Sequence, residues 1–164
     1  MEVRPMRVLF LSRRNTVRGL MAEAVMNQTG GGRFVGLSAG VEPAGGIEPL
    51  AARTLEKARY NADGLQSKTV KDFQGADSAP LDFVFTLSDT ARGEALPEWP
   101  GHPVSAHWHC DDPVLGDDDE AGKALSYGRV LAGLERRIQA FMHLPFHSLD
   151  RISLQSQVDA IGEI

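Results

Sequence analysis

The sequence is poor in cysteine: among 164 residues, only Cys110 carries a thiol. A single thiol excludes a disulfide within the chain, which is typical of a protein from a reducing compartment. Long hydrophobic runs are also missing, because no segment approaches the roughly 20 apolar residues of a membrane-spanning helix. The amino-terminal region has no apolar stretch of signal-peptide length. We therefore expect a cytoplasmic protein with no membrane partner.

An excess of positive charge is absent too. The 17 lysine and arginine residues against 22 aspartate and glutamate residues give a net charge of −5, so we expect no nucleic-acid partner. The charges are unevenly distributed, however. The first segment contains five arginines, at Arg4, Arg7, Arg13, Arg14 and Arg18. An acidic block comes later, with Asp111, Asp112, Asp117, Asp118, Asp119 and Glu120. Such a run is typically a solvated loop.

Short apolar runs alternate with stretches of helical periodicity along the chain. Strands are predicted at residues 6–11, 33–38, 81–87 and 104–108. Helices are predicted from residue 18 to the glycines at 30–32, and over 49–58, 120–143 and 149–161. This alternation predicts a single α/β domain with a parallel sheet and right-handed crossovers. Ligands of such sheets bind beyond the carboxyl ends of the strands.

The loop after the first predicted strand has the composition of an anion site. Its residues are Ser12, Arg13, Arg14, Asn15, Thr16, Val17 and Arg18. A strand–loop–helix junction directs several backbone N–H groups at one point, and the helix dipole adds positive potential. Arg18 suits bidentate binding of two anion oxygens, and Asn15 suits a left-handed backbone. The pattern predicts a pocket for phosphate, arsenate or sulfate; the alternative is an ordinary turn with surface arginines.

Besides this loop, seven short motifs occur in order along most of the chain. In order, they are Met21-Ala22-Glu23-Ala24, Ser38-Ala39-Gly40, Ser67-Lys68, Asp82-Phe83-Val84-Phe85-Thr86-Leu87, Trp99-Pro100-Gly101, His107-Trp108 and Asp112-Pro113. With these motifs the chain resembles the low-molecular-weight protein tyrosine phosphatase superfamily, and most closely its thioredoxin- or glutaredoxin-coupled arsenate reductases.

The resemblance implies a fold and a domain organisation. The fold is a flavodoxin-like three-layer α/β sandwich with a four-stranded parallel sheet in the order 2-1-3-4. The family-like domain spans residues 1–146, and residues 147–164 form a helical extension packed on it. Because this extension is apolar, a homodimer contact is the alternative to packing on the domain.

The resemblance also shows what this chain has lost. The family's loop is Cys-x5-Arg followed by Ser or Thr, and its cysteine attacks the oxyanion as a thiolate. Here Ser12 stands at the cysteine position, and the loop supplies no base to activate a hydroxyl. Gly19 replaces the residue that hydrogen-bonds the thiolate, and Arg13 and Arg14 stand where small residues are usual. Asp112, before Pro113, matches the family's general acid.

The two further cysteines of the arsenate reductases are replaced by Ser88 and Leu96. Cys110 alone cannot form a disulfide relay, so we expect no thioredoxin or glutaredoxin partner and no cofactor. Loss of a nucleophile lowers the rate by a factor on the order of 10⁶ in an unrelated hydrolase. The sequence thus predicts a phosphatase-like pseudoenzyme whose catalytic positions are Ser12, Arg18 and Asp112. The alternative is an active phosphatase or arsenate reductase in which Ser12 was engineered, but the changes at Gly19, Ser88 and Leu96 favour natural loss.

Two weaker signals concern charged side chains. His102, His107, His109, Cys110, Asp111 and Asp112 lie close together in the sequence and suggest a metal site. A structural zinc site needs four ligands at paired short spacings, and only one thiol is present, so we expect no metal. In the family fold, the Asp112 loop overhangs the anion loop. The acidic block is then placed to pair with Arg13 and Arg14 and cover the pocket, unless both arginines are simply solvated.

Overall fold

The computed structural model describes residues 4–74, 78–89, 91, 99–115 and 119–164. The strands are β1 (Met6–Ser12), β2 (Phe34–Gly40), β3 (Phe83–Thr86) and β4 (Val104–His107). The helices of the described residues are α1 (Arg18–Thr29), α2 (Pro49–Lys57), α3 (Glu120–Met142) and α4 (Arg151–Ile161). Short 3₁₀ turns span Val70–Phe73, Pro113–Leu115 and Phe146–Ser148.

The four strands form one parallel sheet in the order β2-β1-β3-β4. This confirms the α/β class, the parallel sheet and the strand order. The register places Leu11 opposite both Ala39 and Thr86, and Thr86 opposite His107. The carboxyl ends of β1, β3 and β4 therefore lie side by side, with Ser12 just beyond this row.

Different segments of the chain pack on the two faces of the sheet. The four helices pack with alternate strand residues such as Val8, Phe10 and Phe85 in one hydrophobic cluster. The opposite face carries Leu9, Leu11 and Val84, and its described cover includes the turn Val70–Phe73 and Trp99. Because both faces of β1 are covered, its last five residues are all buried, as is typical of a central parallel strand.

The end of β2 differs from the prediction. The pattern predicted that the strand stops after residue 38, but it continues to Gly40, which pairs with Ser12. The Gly40 N–H also donates to the Lys68 carbonyl at 2.7 Å, and Gly40 forms a bridge with Thr69. Backbone hydrogen bonds on both sides thus extend the strand through two small residues that local propensity treats as a stop.

Helix α1 is buried more completely than its sequence pattern indicated. The sequence pattern places Leu20, Met21, Ala24, Val25 and Gln28 on one helical face. Arg18, Gly19, Ala22 and Met26 are buried as well. Gln28, near the end of the helix, is exposed, and its side chain donates to the Arg59 carbonyl at 2.8 Å. The first two turns of α1 lie inside the domain, so its apolar residues are not confined to one stripe.

Helix α4 packs against the edge strand β4. Val158 and Ile161 are buried in the same cluster as the other helices, and the Trp108 Nε1–H donates to the Val158 carbonyl at 2.9 Å. Ile152, on the other side of α4, is 84% exposed. No helix among the described residues is long and apolar enough to cross a membrane.

Candidate functional site

The loop from Ser12 to Arg18, called the anion loop below, joins the carboxyl end of β1 to α1. Ser12 is 2% exposed and Asn15 is fully buried. Asn15 has a φ of 55°, the left-handed conformation that its residue type suits, and its N–H donates to Ser12 Oγ at 3.2 Å. The loop therefore turns back over the Ser12 hydroxyl.

Backbone hydrogen bonds hold the anion loop from outside. The carbonyls of Ser12, Arg13 and Arg14 accept N–H groups from the segment after β2, at residues 41, 42 and 44. The Thr16 carbonyl accepts the Glu48 N–H at 3.0 Å. These carbonyls therefore point away from the interior of the anion loop. The N–H groups of the loop point the other way and do not take part in these hydrogen bonds. Those of Arg13, Arg14, Thr16 and Val17 have no acceptor among the residues that the structure describes.

Ser67 gives the loop an additional support that the sequence did not assign. Its hydroxyl donates to the Asn15 carbonyl at 2.7 Å and accepts the Gly46 N–H at 3.0 Å. Glu23 lies nearby and accepts from Ser38 Oγ at 2.8 Å and from Lys68 Nζ at 3.0 Å. These residues occur in the motifs that carry the family resemblance, but their spacing contains no signal for these contacts.

Arg18 and Asp112 lie together over the loop. Arg18 is 8% exposed, and its Nη1 donates to the Cys110 carbonyl at 3.0 Å. Its Nη2 lies 3.5 Å from Asp112 Oδ2. The other carboxylate oxygen of Asp112 accepts the Val114 N–H at 3.0 Å. These contacts fix the guanidinium and the carboxylate above the loop, although they come from distant parts of the chain.

A cavity of about 220 Å³ connects these groups. It is lined by Ser12, Arg13, Arg14, Asn15, Thr16, Val17, Arg18, Ala44, Glu48, Asp112 and Val114. Every residue that the sequence assigned to the anion site, and the aspartate at the general-acid position, thus lines one cavity. Three arginines face two carboxylates there, so the formal charge of its lining is positive.

The Ser12 hydroxyl has no basic partner. Its contact among the described residues is the Asn15 N–H, and no imidazole or carboxylate lies within hydrogen-bond distance of it. A serine becomes a nucleophile only when a neighbouring base takes its proton. Gly19 adds no hydroxyl, and a Cβ at this position would lie 2.8 Å from Asn15 Oδ1. The side-chain amide of Asn15 is buried, and its oxygen and nitrogen have no hydrogen-bond partner among the described residues.

The two positions predicted to replace the redox cysteines of the arsenate reductases are only partly described. Ser88 is buried, and its hydroxyl accepts the Ala91 N–H at 3.1 Å, so it has a structural role in a turn. Leu96 lies outside the described residues. Burial raises the pKa of the Cys110 thiol, and the nearby Arg137 and Arg18 only partly offset this effect. Cys110 is therefore a poor thiolate former.

The acidic block does not pair with Arg13 or Arg14 among the described residues. Arg13 lies 3.6 Å from Glu42, and both side chains are largely exposed. Asp112 contacts Arg18, and Asp119 accepts the Gly122 N–H at the start of α3. Asp117 and Asp118 lie outside the described residues. Three described carboxylates of the block, Asp111, Asp112 and Asp119, have partners other than Arg13 and Arg14, so they do not form the predicted cover.

The structure brings together a different set of metal-type side chains from the one suggested by the sequence. His107 Nε2 and His109 Nδ1 each lie 3.2 Å from Asp89 Oδ1. We call Asp89, His107 and His109 the histidine cluster. Asp89 was not considered from the sequence, because it is 18 residues from His107 and reaches it only across the β3–β4 pairing.

Comparison with known proteins identifies the same family as the motifs. The low molecular weight phosphotyrosine protein phosphatase family matches residues 7–156. The glutaredoxin arsenate reductase of Synechocystis sp. is 29% identical over 107 residues, which cover 65% of this chain and 78% of that protein.

Solved structures show the same fold. The arsenate reductase of Archaeoglobus fulgidus superimposes with a TM-score of 0.65 and 29% identity, over 84% of this chain and 99% of that one. An arsenate reductase in the phosphate binding state gives a TM-score of 0.65 at 23% identity, over 84% of this chain and 96% of that one. Because the family match spans nearly the whole chain and includes the anion loop, the chain belongs to the low molecular weight phosphotyrosine protein phosphatase family.

Proposed function

We propose that this protein binds a tetrahedral oxyanion (phosphate, arsenate or sulfate) in the anion loop and has little or no catalytic turnover. The observation that carries the proposal is the set of four loop N–H groups, at Arg13, Arg14, Thr16 and Val17, without an acceptor among the described residues. Backbone N–H groups at the start of a helix form an anion site. The similarity to an arsenate reductase in the phosphate binding state supports this assignment.

Arg18 supplies the charge that such a site needs. Its guanidinium is buried at the mouth of the loop and is held by the Cys110 carbonyl and by Asp112. A guanidinium presents five donors, so two contacts leave others for an anion. Arg13 and Arg14 line the same cavity from its exposed side and add positive potential. The proposed ligand therefore meets backbone donors on one side and Arg18 on the other.

The lack of a base beside Ser12 supports the proposed loss of turnover. A hydroxyl buried at the floor of the loop keeps its proton unless a base accepts it. Asp112, at the family's general-acid position, would donate a proton to a leaving oxygen, but this step follows attack by a nucleophile. Without that attack, the acid has no reaction to assist. The protein would then retain the family's anion binding but not its catalysis.

Isothermal titration calorimetry with phosphate, arsenate and sulfate tests the binding proposal. We expect saturable binding of one anion per chain. Arg18→Ala should weaken it at least tenfold, because a hydrogen bond to a charged group contributes roughly 1.5–3 kcal/mol. Arg18→Lys keeps the positive charge but loses the bidentate guanidinium, so its anion affinity should lie between those of the unaltered protein and Arg18→Ala. Arg4→Ala removes the same charge at the amino end of β1, away from the anion loop, and should leave the anion affinity unchanged. Equal affinities for Arg18→Ala and the unaltered protein would contradict the proposal.

Assays of aryl-phosphate hydrolysis and arsenate reduction test the proposed loss of turnover. The unaltered protein and Ser12→Ala should give the same background rate in both assays. A rate above that of Ser12→Ala would show that Ser12 is a nucleophile. Ser12→Cys should not reduce arsenate, because Ser88 and Leu96 still interrupt the relay. Full phosphatase activity of Ser12→Cys would instead indicate an engineered replacement of the nucleophile.

A further inference from the structure

The histidine cluster lies outside the cavity of the anion loop, at the carboxyl ends of β3 and β4. His107 is the last residue of β4, His109 follows two residues later, and Asp89 follows β3 by three residues. One ligand-type atom from each of the three side chains lies within 4.8 Å of the other two. We propose that these three side chains form a binding site for a divalent transition-metal ion of the zinc type.

Two of the three donor–donor distances within the cluster are close to those around such an ion. Zinc binds imidazole nitrogen and carboxylate oxygen at about 2.0–2.2 Å in tetrahedral geometry, which places neighbouring donor atoms about 3.3 Å apart. Asp89 Oδ1 lies 3.2 Å from His107 Nε2 and 3.2 Å from His109 Nδ1. Two imidazoles and one carboxylate leave a fourth tetrahedral position for water or an exchangeable ligand.

The hydrogen bonds around the cluster give a second reason. Both ring nitrogens of His109 face carboxylates, with Nδ1 on Asp89 and Nε2 3.0 Å from Asp111. A neutral imidazole has only one N–H, so one of these contacts sets a lone pair against a carboxylate unless the ring is protonated or a metal ion binds to it. With a metal ion on Nδ1, the Nε2–H donates to Asp111. This carboxylate then orients the ligating histidine, as partners of metal-bound histidines usually do.

His107 has a matching arrangement. Its Nδ1 lies 2.7 Å from Thr86 Oγ1, on the neighbouring strand. When Nδ1 carries the proton and donates to the threonine hydroxyl, Nε2 presents its lone pair towards Asp89 and His109. The pairing of β3 with β4 therefore selects both the orientation and the tautomer that a metal ligand needs. His107 is half-buried, so its ring is held more firmly than the exposed rings on the surface.

Direct measurement of zinc binding tests the site. Chelator-treated, full-length protein is titrated with Zn²⁺ against a chromophoric chelator, and the bound metal is counted by equilibrium dialysis. We expect one ion per chain. Asp89→Asn and His109→Ala should each weaken binding at least tenfold, since even partners beyond the first ligands typically contribute about 10- to 100-fold. Both residues are exposed, so thermal unfolding of the metal-free variants should match that of the unaltered protein.

Two controls separate this site from the alternatives. Cys110→Ser removes the thiol next to His109, the ligand that the sequence cluster suggested, and should leave the zinc affinity unchanged. His147→Ala removes an exposed histidine elsewhere on the surface and should also have no effect. Absence of stoichiometric binding would overturn the proposal and leave an ion-pair cluster. Binding that survives Asp89→Asn and His109→Ala, or that is lost in Cys110→Ser, would overturn it as well.

Discussion

The anion loop and the histidine cluster lie at the same edge of the sheet but are built in opposite ways. The loop follows the central strand β1, and its Ser12 and Asn15 are buried. The anion binding proposed for it depends mainly on backbone N–H groups and one buried guanidinium. The histidine cluster follows β3 and the edge strand β4, and its Asp89 side chain is 77% exposed. The metal binding proposed for it depends on side chains alone.

The difference follows from the position of each strand. β1 has a neighbour on both sides, so the chain after β2 encloses the anion loop and binds its carbonyls. A Cβ added at Gly40, which packs on this loop, would lie within 3.0 Å of its backbone. β4 has one neighbouring strand among the described residues, and the side chains at its end reach solvent. Changes there should alter ligand chemistry with little effect on folding.

Gly40→Ala is the strongest test of this contrast. A Cβ on Gly40 would lie 2.9 Å from the Arg14 carbonyl carbon and 3.0 Å from the Asn15 nitrogen. Since both atoms belong to the backbone, the anion loop must move. We expect the free energy of unfolding in urea to fall by about 1–3 kcal/mol and phosphate affinity to fall with it.

Gly128→Ala in α3 is the matched control for Gly40→Ala. A Cβ on Gly128 meets nothing within 4 Å, so the same chemical change has space there. Alanine is favoured over glycine inside a helix by roughly 0.5–1 kcal/mol, and the variant should be slightly more stable than the unaltered protein. If Gly40→Ala were as stable as Gly128→Ala, the anion loop would not be as tightly enclosed as the contacts indicate.

Thiol labelling of Cys110 probes the boundary between the two sites, because its carbonyl binds Arg18 and His109 precedes it. Burial raises the pKa of its thiol and shields its sulfur. We expect an aromatic disulfide reagent to react at least about tenfold more slowly with the folded protein than with the chain in urea. The rate should still rise above about pH 8.5, the usual thiol pKa, where an exposed thiol levels off. Equal rates in folded and unfolded protein would show that this boundary opens readily.

Asp89→Asn should have the smallest effect on folding. In metal-free protein we expect the midpoint of unfolding in urea to stay unchanged, because the side chain is exposed and its contacts with the histidines are screened by solvent. Urea denaturation of both proteins in chelator measures this midpoint. A loss comparable with that of Gly40→Ala would remove the distinction between the enclosed loop and the open cluster.

The anion loop was predictable because its residues are contiguous. Ser12, Asn15 and Arg18 lie within seven positions, between an apolar strand and a helix, so local pattern alone places them together. The strand order and the family were also predicted and are confirmed. The contacts of Ser67 with the loop were not predictable in this way, because 52 residues separate it from Asn15. Only the packing of the segment after α2 brings them together.

The sequence by itself determined the alternation of strands and helices, and it predicted an anion site at residues 12–18 and the replacement of the family's cysteines. These features depend on the identity and spacing of neighbouring residues, which local sterics and hydrophobic periodicity translate directly into structure. The tertiary structure alone decided that Arg18 meets Asp112 and that Asp89, rather than Cys110, meets the two histidines. Such contacts depend on strand register and on the direction of side chains across the sheet, which no spacing along the chain specifies.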